Sequence, residues 1–238
     1  MNARHTDTLQ KLQRSFISML SDPSLRALLS SPQALRLYEM LDSNLFLEFK
    51  KEPASIMLTS AENGEGRTTL SLLLAAYHAV HNPEDRVLLV DCDFNGRGAS
   101  ALLSGNSSPP GLLNYFYESD SSVDGCISKT GLENLDCVFA GRSEYAHRFS
   151  HQKFMTFFNA VRPRYQLVVA DAPCAGANHD ALAISKVVQN VLLVIRYGGP
   201  KREQIQKIIS EFRHHGANVI GGVLNQRLFP VPKFLYRL

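Results

Sequence analysis

The stretch from Pro53 to Val80 constrains the fold of this chain more than any other part of the sequence. An apolar run at 56–58 is typical of a buried strand, and residues 60–67 (Ser-Ala-Glu-Asn-Gly-Glu-Gly-Arg) turn sharply before a helix. Gly64 and Gly66 allow backbone geometries that a Cβ would resist, so successive N–H groups can point at one anion while the start of the helix adds its positive dipole end. The stretch therefore predicts a phosphate-binding loop.

The loop fits the Walker A pattern, with Ala61 in place of the first glycine and Arg67 in place of the lysine. Thr68 occupies the position whose hydroxyl usually holds Mg²⁺. Arginine keeps the positive charge, but its planar, longer guanidinium does not deliver the compact charge that lysine places between the outer phosphates. We therefore expect nucleotide binding to survive and turnover to be impaired. The alternative is a glycine-rich strand-to-helix turn that binds no ligand.

The composition indicates an ordinary soluble globular protein. With 238 residues, 45% hydrophobic and 20% charged, the chain is long enough for one large α/β domain with a buried core. The net charge of +3 gives no electrostatic argument for nucleic acid, and we expect no such partner. The start is unlike a signal peptide, and the apolar runs are shorter than the ~20 residues that span a bilayer. The cysteines are scattered without the paired spacing of a metal site, which indicates reduced, mostly buried thiols. Reduced thiols are typical of the cytoplasm, which is therefore the expected compartment. The cysteines are Cys92, Cys126, Cys137 and Cys174.

Short apolar runs alternate with helical patterns along the rest of the chain. The predicted strands are 56–58, 86–90, 135–139, 166–170, 191–195 and 219–224. The predicted helices after the loop are 70–80, 112–117, 153–161, 180–188 and 201–215. Residues 95–125 otherwise form a mobile connection. Near-continuous apolar strands alternating with helices predict a P-loop NTPase-like α/β fold, a parallel sheet covered by helices on both faces.

Three parts of the chain are predicted: an N-terminal helical flank (1–50), a P-loop nucleotide-binding domain (51–228) and a C-terminal tail (229–238). In the flank, apolar residues at helical spacing from residue 8 are interrupted by Asp22-Pro23 before a second short helix, and a third helix runs from Pro32 to about Phe46. The flank either packs on the core or offers a docking face. The tail mixes aromatic and basic residues, which suits docking on a partner or a membrane surface.

Acidic residues follow two of the predicted strands. Asp91 and Asp93 stand at the carboxyl end of the second strand, where open α/β sheets bind ligands and where both can face a metal-bound water. Asp171 directly follows the fourth strand, which is the Walker B arrangement. A solvated loop and a strand-capping aspartate are the alternatives, and the phosphate loop upstream favours the metal interpretation. Asn225, at the end of the last strand, is either a base-recognising amide or a turn residue.

In their order along the chain, the loop at 60–69, Asp91-Cys92-Asp93 and Asp171-Ala172-Pro173 resemble the three Walker elements of the bacterial tyrosine kinases. These kinases are the cytoplasmic partners of polysaccharide chain-length regulators, and they are related more distantly to the cell-division-site and plasmid-partition ATPases. The likeness covers roughly residues 35–226 and includes motifs between the Walker elements. Those motifs are Pro110-Gly111-Leu112 followed by Tyr115, Ala140-Gly141, Asp180-Ala181-Leu182 and Gly221-Gly222-Val223-Leu224-Asn225.

The resemblance implies an ATP site with Mg²⁺ and in-line transfer of the γ-phosphoryl group to tyrosine or to water. Asp91 and Asp93 would assist Mg²⁺ and activate the acceptor hydroxyl, with Arg67 as a third catalytic residue, and Asn225 would contact adenine. The metal ligands would be Thr68, Asp91 and Asp171. The residues lining the phosphates would be Gly64, Glu65, Gly66, Arg67, Thr68 and Thr69. The resemblance also implies exopolysaccharide or capsule synthesis and export, with a membrane co-polymerase partner that holds the chain at the inner membrane.

Several positions depart from the family pattern. The acidic residue and two arginines that build the family's ring-shaped oligomer correspond here to Arg36, Glu39 and Asp42. Because the charges are nearly inverted, we do not expect a homo-oligomer built on those contacts. The arginine that usually follows the second aspartate is replaced by Asn95, with Arg97 nearby, and the C-terminal tyrosine cluster is reduced to Tyr236. A single tyrosine is a poor autophosphorylation tail.

Three functions follow from these patterns. The first is an ATP-binding, tyrosine-kinase-like protein of polysaccharide export. The second is a non-catalytic regulatory or scaffold subunit of a polysaccharide assembly complex, which Arg67 and the missing tyrosine cluster favour. The third is a partition-type positioning ATPase. That class has a second lysine in the loop, and Glu62 at the corresponding position argues against this function.

Overall fold

The structure is a computed structural model that describes residues 16–49, 53–95, 98–103, 109–142 and 149–226. Its α-helices are α1 (Pro23–Leu29), α2 (Pro32–Phe49), α3 (Arg67–His81), α4 (Ala99–Leu103), α5 (Leu112–Tyr117), α6 (His151–Val161), α7 (Asp180–Val188) and α8 (Arg202–His214). Short 3₁₀ helices lie at Ile17–Met19, Asp124–Cys126 and Arg162–Arg164. The strands are β1 (Ala54–Ser60), β2 (Val87–Asp91), β3 (Ile127–Lys129), β4 (Leu135–Val138), β5 (Leu167–Asp171), β6 (Asn190–Arg196) and β7 (Asn218–Asn225).

The strands form one seven-stranded sheet in the order β3-β4-β2-β5-β1-β6-β7. β3 pairs antiparallel with β4, and the other neighbouring strands pair in parallel. The central strands β1, β2 and β5 are buried along their whole length, because apolar helix faces pack on both sides of them. This architecture confirms the predicted P-loop NTPase-like α/β class.

The sequence did not predict β3 or α4. β3 has three residues that are half-buried or exposed, so it carries no readable apolar run or alternation. α4 has five residues, too few to show a helical repeat, and it lies in the stretch predicted to be a mobile connection. Both elements depend on contacts with the sheet, which local sequence does not report.

The described part of the N-terminal flank packs on the core. The Oδ1 atom of Asp22 accepts a hydrogen bond from the N–H of Ser24 at 2.7 Å and caps α1, which is the short helix predicted after the break at Asp22-Pro23. Tyr77 of α3 donates to the carbonyl of Leu29 at 2.7 Å, and its ring lies 5.7 Å from the ring of Tyr38 in α2. The flank and α3 therefore share one apolar cluster.

Several sequence-based expectations fall outside the described residues. The helical pattern that begins at residue 8 lies largely there, and the tail at 229–238 lies there entirely. The three-part division of the chain stays a prediction. All four cysteines are buried with free thiols. Among the helices of the described ranges, none is both long and apolar enough to cross a bilayer.

Candidate functional site

The predicted phosphate loop connects the carboxyl end of β1 to the first residue of α3, Arg67. Gly64 has φ of 79° and Gly66 has φ of 90°, in the left-handed region that favours glycine. A Cβ on Gly66 would also lie 2.3 Å from Nδ2 of Asn225, so a larger residue would displace that side chain and its hydrogen bond to Glu65. The loop therefore has the backbone conformation that its glycines predict, at the amino end of a fifteen-residue helix.

Glu65 fixes the loop to the neighbouring strand. Its buried carboxylate accepts one hydrogen bond from the N–H of Glu62 and one from the N–H of Arg196, both at 2.8 Å. The side-chain amide of Asn225 donates to the carbonyl of Glu65 at 2.9 Å, and that of Gln226 donates to the carbonyl of Gly64 at 2.8 Å. The side chain of Glu65 thus holds the loop in place, and only its backbone is free to contact phosphate.

A cavity of about 560 Å³ lies beside the loop, large enough for a nucleotide. It is lined by Asn63, Gly64, Gly66, Arg67, Thr68, Thr69, Leu102 and Gln226. Most of these belong to the predicted loop, whereas Leu102 and Gln226 were missed by sequence reasoning. Leu102 lies on α4, which the sequence did not predict, and Gln226 directly follows Asn225 without any motif of its own.

Asp91 and Asp171 are paired in register at the carboxyl ends of β2 and β5. The Asp91 carboxylate accepts hydrogen bonds from the N–H of Asp93 at 2.9 Å and from the N–H of Ser100 at 2.6 Å. The Asp171 carboxylate accepts from the N–H of Ala99 at 3.1 Å and from Oγ of Ser71 at 3.3 Å. Both carboxylates are buried, and the first residues of α4 cover them.

Burial raises the pKa of the carboxyl groups of Asp91 and Asp171, and the charge of Asp91 raises that of Asp171 further. The Arg67 guanidinium and a hydrogen bond from Thr68 act on the pKa of Asp171 in the opposite direction. Two buried carboxylates side by side are costly as anions, so the site favours either a shared proton or a bound cation.

Thr68 and Asp171 fit a magnesium ion. The Thr68 hydroxyl lies near enough to the Asp171 carboxylate to lower its pKa, so two hard oxygen ligands are close to each other. Mg²⁺ needs only one or two carboxylates when phosphate oxygens and water complete its shell. Within the described ranges, no group of three or more acidic, histidine or cysteine side chains converges on a metal site, so these residues provide no complete protein cage.

The side chain of Arg67 is held by an acidic residue instead of being available to a ligand in the loop. Its Nη2 forms an ion pair with Oδ2 of Asp93, and the two side chains are only 6% and 2% exposed. The Oδ1 atom of Asp93 accepts from the backbone N–H and the side-chain amide of Asn95 at 3.1 and 3.2 Å. The Nε atom of Arg67 is buried and finds no hydrogen-bond partner among the described residues. Two of the three predicted catalytic residues, Arg67 and Asp93, are therefore bonded to each other.

A second cavity of about 430 Å³ lies next to Asp93. It shares Asn63 with the loop cavity. Its lining residues are Asn63, Asp93, Asn95, Pro173, Cys174, Ala177 and Asn178. The bonded pair of Arg67 and Asp93 thus has one member in each cavity. Asn178 and Cys174 were not predicted to belong to a site, because a separate amide and thiol form no recognisable motif, and Asn95 was named only as a departure from the family pattern.

The three residues that the resemblance aligns with the family's ring contacts lie on α2. Arg36 is exposed, and Glu39 and Asp42 are partly exposed. Oδ1 of Asp42 accepts a hydrogen bond from the hydroxyl of Tyr38 at 3.0 Å, so this carboxylate already has a partner within its own helix. Arg97 and Tyr236 lie outside the described residues.

No protein-family model matches the chain. The chain is 27% identical over 172 residues to the tyrosine-protein kinase Wzc of Salmonella typhi, and this covers 71% of the chain but 23% of Wzc. It is 24% identical over 178 residues to the tyrosine-protein kinase CpsD of Streptococcus agalactiae, covering 74% of the chain and 75% of CpsD. The chain thus corresponds to less than a quarter of Wzc and to most of CpsD.

Solved structures agree with these relatives. The kinase domain of VpsO is 27% identical with a TM-score of 0.68, covering 82% of this chain and 97% of that domain. The kinase domain of the Escherichia coli tyrosine kinase Etk has a TM-score of 0.70 at 24% identity, covering 82% and 76%. MinD of Pyrococcus horikoshii, solved with Mg-ADP, shares the fold at 21% identity with a TM-score of 0.60, covering 72% and 70%. The resemblance predicted from the sequence is confirmed: the relatives of this chain are bacterial tyrosine-protein kinases, and it has the fold of their kinase domains.

Proposed function

We propose that the chain is an ATP-binding, tyrosine-kinase-like protein of exopolysaccharide or capsule biosynthesis and export, with weak phosphoryl transfer from Mg-ATP. One observation carries the proposal. A loop with two left-handed glycines opens α3 beside a 560 Å³ cavity, next to the Thr68–Asp171 contact. Backbone N–H groups at a helix start suit phosphates, and the hydroxyl–carboxylate pair suits Mg²⁺.

The proposed roles follow from where each side chain lies. The backbone of residues 64–69 would line the phosphates, and Thr68 and Asp171 would hold Mg²⁺ with Asp91 beside them. Bound Mg-ATP would supply the transferable phosphoryl group. Asn225, which already bonds the loop, would contact adenine from the end of β7. Asp91 and Asp93 would orient and activate the acceptor hydroxyl, and Arg67 would provide positive charge.

The partner in this proposal is a membrane polysaccharide co-polymerase that holds the chain at the inner membrane. The support is similarity to kinases with that association, together with a solved chimera named CapA2B2, which has a TM-score of 0.69 at 24% identity. Arg36, Glu39 and Asp42 argue against a homo-oligomer on the family's ring contacts. Sedimentation that shows an octamer abolished by changing Arg36 would refute that part.

The first test is calorimetric titration of the purified chain with ATP and ADP, with and without Mg²⁺. We expect micromolar binding that Mg²⁺ strengthens, because the hydroxyl and carboxylate lie together. Thr68→Ala should lose the Mg²⁺ effect while keeping the loop backbone. An absence of binding in the native chain and in Arg67→Lys would refute the proposal.

Catalysis is tested separately by phosphotyrosine formation from ATP and Mg²⁺ in the presence of an activating partner. The signal should disappear in Asp91→Ala. Its absence in the native chain would favour the second candidate function, a non-catalytic scaffold subunit. The buried ion pair supports that candidate, because it engages both Arg67 and Asp93. Polymer production that survives Thr68→Ala but not deletion of the gene would support the scaffold.

A further inference from the structure

We propose that Asp93 is a positioning residue that holds Arg67 in the nucleotide-free protein, and that nucleotide phosphate competes with Asp93 for the guanidinium. Binding would then release Asp93 into the second cavity. This inference rests on the proposed nucleotide binding. It assigns Asp93 a role as the counter-ion of the loop arginine, in addition to any role toward an acceptor.

Burial makes the ion pair between Arg67 and Asp93 difficult to break without a replacement anion. At 6% and 2% exposure, both side chains are largely shielded from bulk water, so breaking the pair would leave each charge poorly solvated. An ion pair of this kind is disrupted readily only if another anion replaces the carboxylate, because an unpaired buried guanidinium is strongly unfavourable. A phosphate bound in the loop cavity, which Arg67 also lines, is such an anion.

The donors of Arg67 are incompletely used. Nη2 bonds Asp93, whereas the buried Nε has no partner among the described residues. Guanidinium donors lie in a fixed fork that matches two oxygens of one phosphate. A phosphate in the cavity could therefore bind Nε and a neighbouring donor together, which the present contact with Asp93 does not achieve. This spare donor indicates a second arrangement of Arg67.

Asp93 has hydrogen-bond donors on the carboxylate oxygen that does not contact Arg67. Asn95 donates to Oδ1 through its N–H and its amide, so the carboxylate remains hydrogen-bonded after Arg67 leaves. Asp93 also lines the second cavity, where it would then present a free carboxylate oxygen. Nucleotide binding and the availability of Asp93 are thereby coupled through one side chain.

Competition lowers the apparent nucleotide affinity of the native chain, since binding must displace Asp93. Asp93→Asn removes the competing charge and should tighten ADP and ATP binding about tenfold. The gain must require the guanidinium, so Asp93→Asn should have no such effect when combined with Arg67→Ala. Asn95→Ala keeps both charges but removes the amide donor that would stay on Asp93 after its release, so it should weaken nucleotide binding about threefold.

The experiment is a double-mutant cycle measured by calorimetric titration with ADP and Mg-ATP, so its readout is affinity. Asp124→Asn is the control, since its exposed carboxylate pairs with Arg164. A gain in Asp93→Asn that vanishes without Arg67 supports the inference. Unchanged or weaker binding in Asp93→Asn, with micromolar binding in the native chain, overturns it and leaves the proposed function intact. Absence of nucleotide binding in every variant refutes the proposed function itself. If Asp93→Asn does not fold, Asn95→Ala decides: about threefold weaker binding than in the native chain supports the inference, and unchanged or tighter binding overturns it.

Discussion

Glu65 provides the sharpest test of how the phosphate loop is held. Its carboxylate is fully buried and accepts hydrogen bonds from two backbone N–H groups, one within the loop and one at the end of β6. We predict that Glu65→Gln destabilises the protein and weakens nucleotide binding, although the side chain itself faces away from the phosphates. Glutamine keeps one acceptor oxygen but places an NH₂ group against the second N–H donor.

The cost of this substitution can be worked from the two contacts. Both are 2.8 Å bonds to a charged acceptor, and such bonds contribute about 1.5–3 kcal/mol each. Glu65→Gln loses one of them and leaves a buried N–H unpaired, which costs about 1–3 kcal/mol. We expect the free energy of unfolding to fall by about 3 kcal/mol, a large share of the 5–15 kcal/mol that is typical of a domain.

The matched control is Glu62→Gln in the same loop. Glu62 also contacts Arg196, but through an ion pair of 3.2 Å between side chains that are 40% and 43% exposed, so its loss should cost less than about 1 kcal/mol. Urea unfolding measures both variants, provided that the m-value is unchanged. Equal losses of stability in the two variants, or a loss below about 1 kcal/mol in Glu65→Gln, would refute the reasoning.

Three further predictions concern stability and are measured by urea unfolding. Gly98→Ala should cost about 1–3 kcal/mol, because the added Cβ would lie 2.1 Å from Oδ1 of Asp91 and push α4 off the carboxylates; a neutral effect would contradict this contact. Tyr77→Phe should cost about 1–2 kcal/mol, since it leaves the carbonyl of Leu29 unpaired beneath the flank; stability equal to that of the native chain would argue against that role. Burial lowers the pKa of His78, so the unfolded chain takes up its proton first and stability is lost as pH falls below about 6.5, by at most about 1.4 kcal/mol per pH unit. His78→Gln should reduce this slope, and an unchanged slope would count against the explanation.

The sequence predicted the parts of the site that depend on strand ends. Asp91 and Asp171 lie side by side because the carboxyl ends of parallel strands share one edge of the sheet. Gly64 and Gly66 take left-handed conformations, as the sharp turn into α3 requires. These features follow from the apolar runs that predict strands and from the glycines that predict the turn, so local sequence patterns were sufficient to predict them.

The contacts of the charged residues could not be predicted in the same way. Arg67 was recognisable as a departure from the lysine pattern, but its partner Asp93 is set by the turn after β2. Glu65 was expected to line the phosphates, whereas its side chain reaches β6. Gln226 was missed, because its contact with the loop follows from the position of β7. Each of these depends on strand neighbours that are distant in sequence.

The strand order also has a consequence for how the chain folds. β1 carries the phosphate loop, yet its hydrogen-bonding neighbours are β5 and β6, so Ala54 pairs with Leu167 and Leu58 with Leu192. Closing such long segments costs entropy before any contact compensates for it, which makes folding slow relative to helical proteins. During synthesis, β1 is made early and has no parallel partner until the second half of the domain leaves the ribosome. A chain interrupted before β5 would therefore expose an apolar strand, and such a fragment is a substrate for chaperones and a site of aggregation.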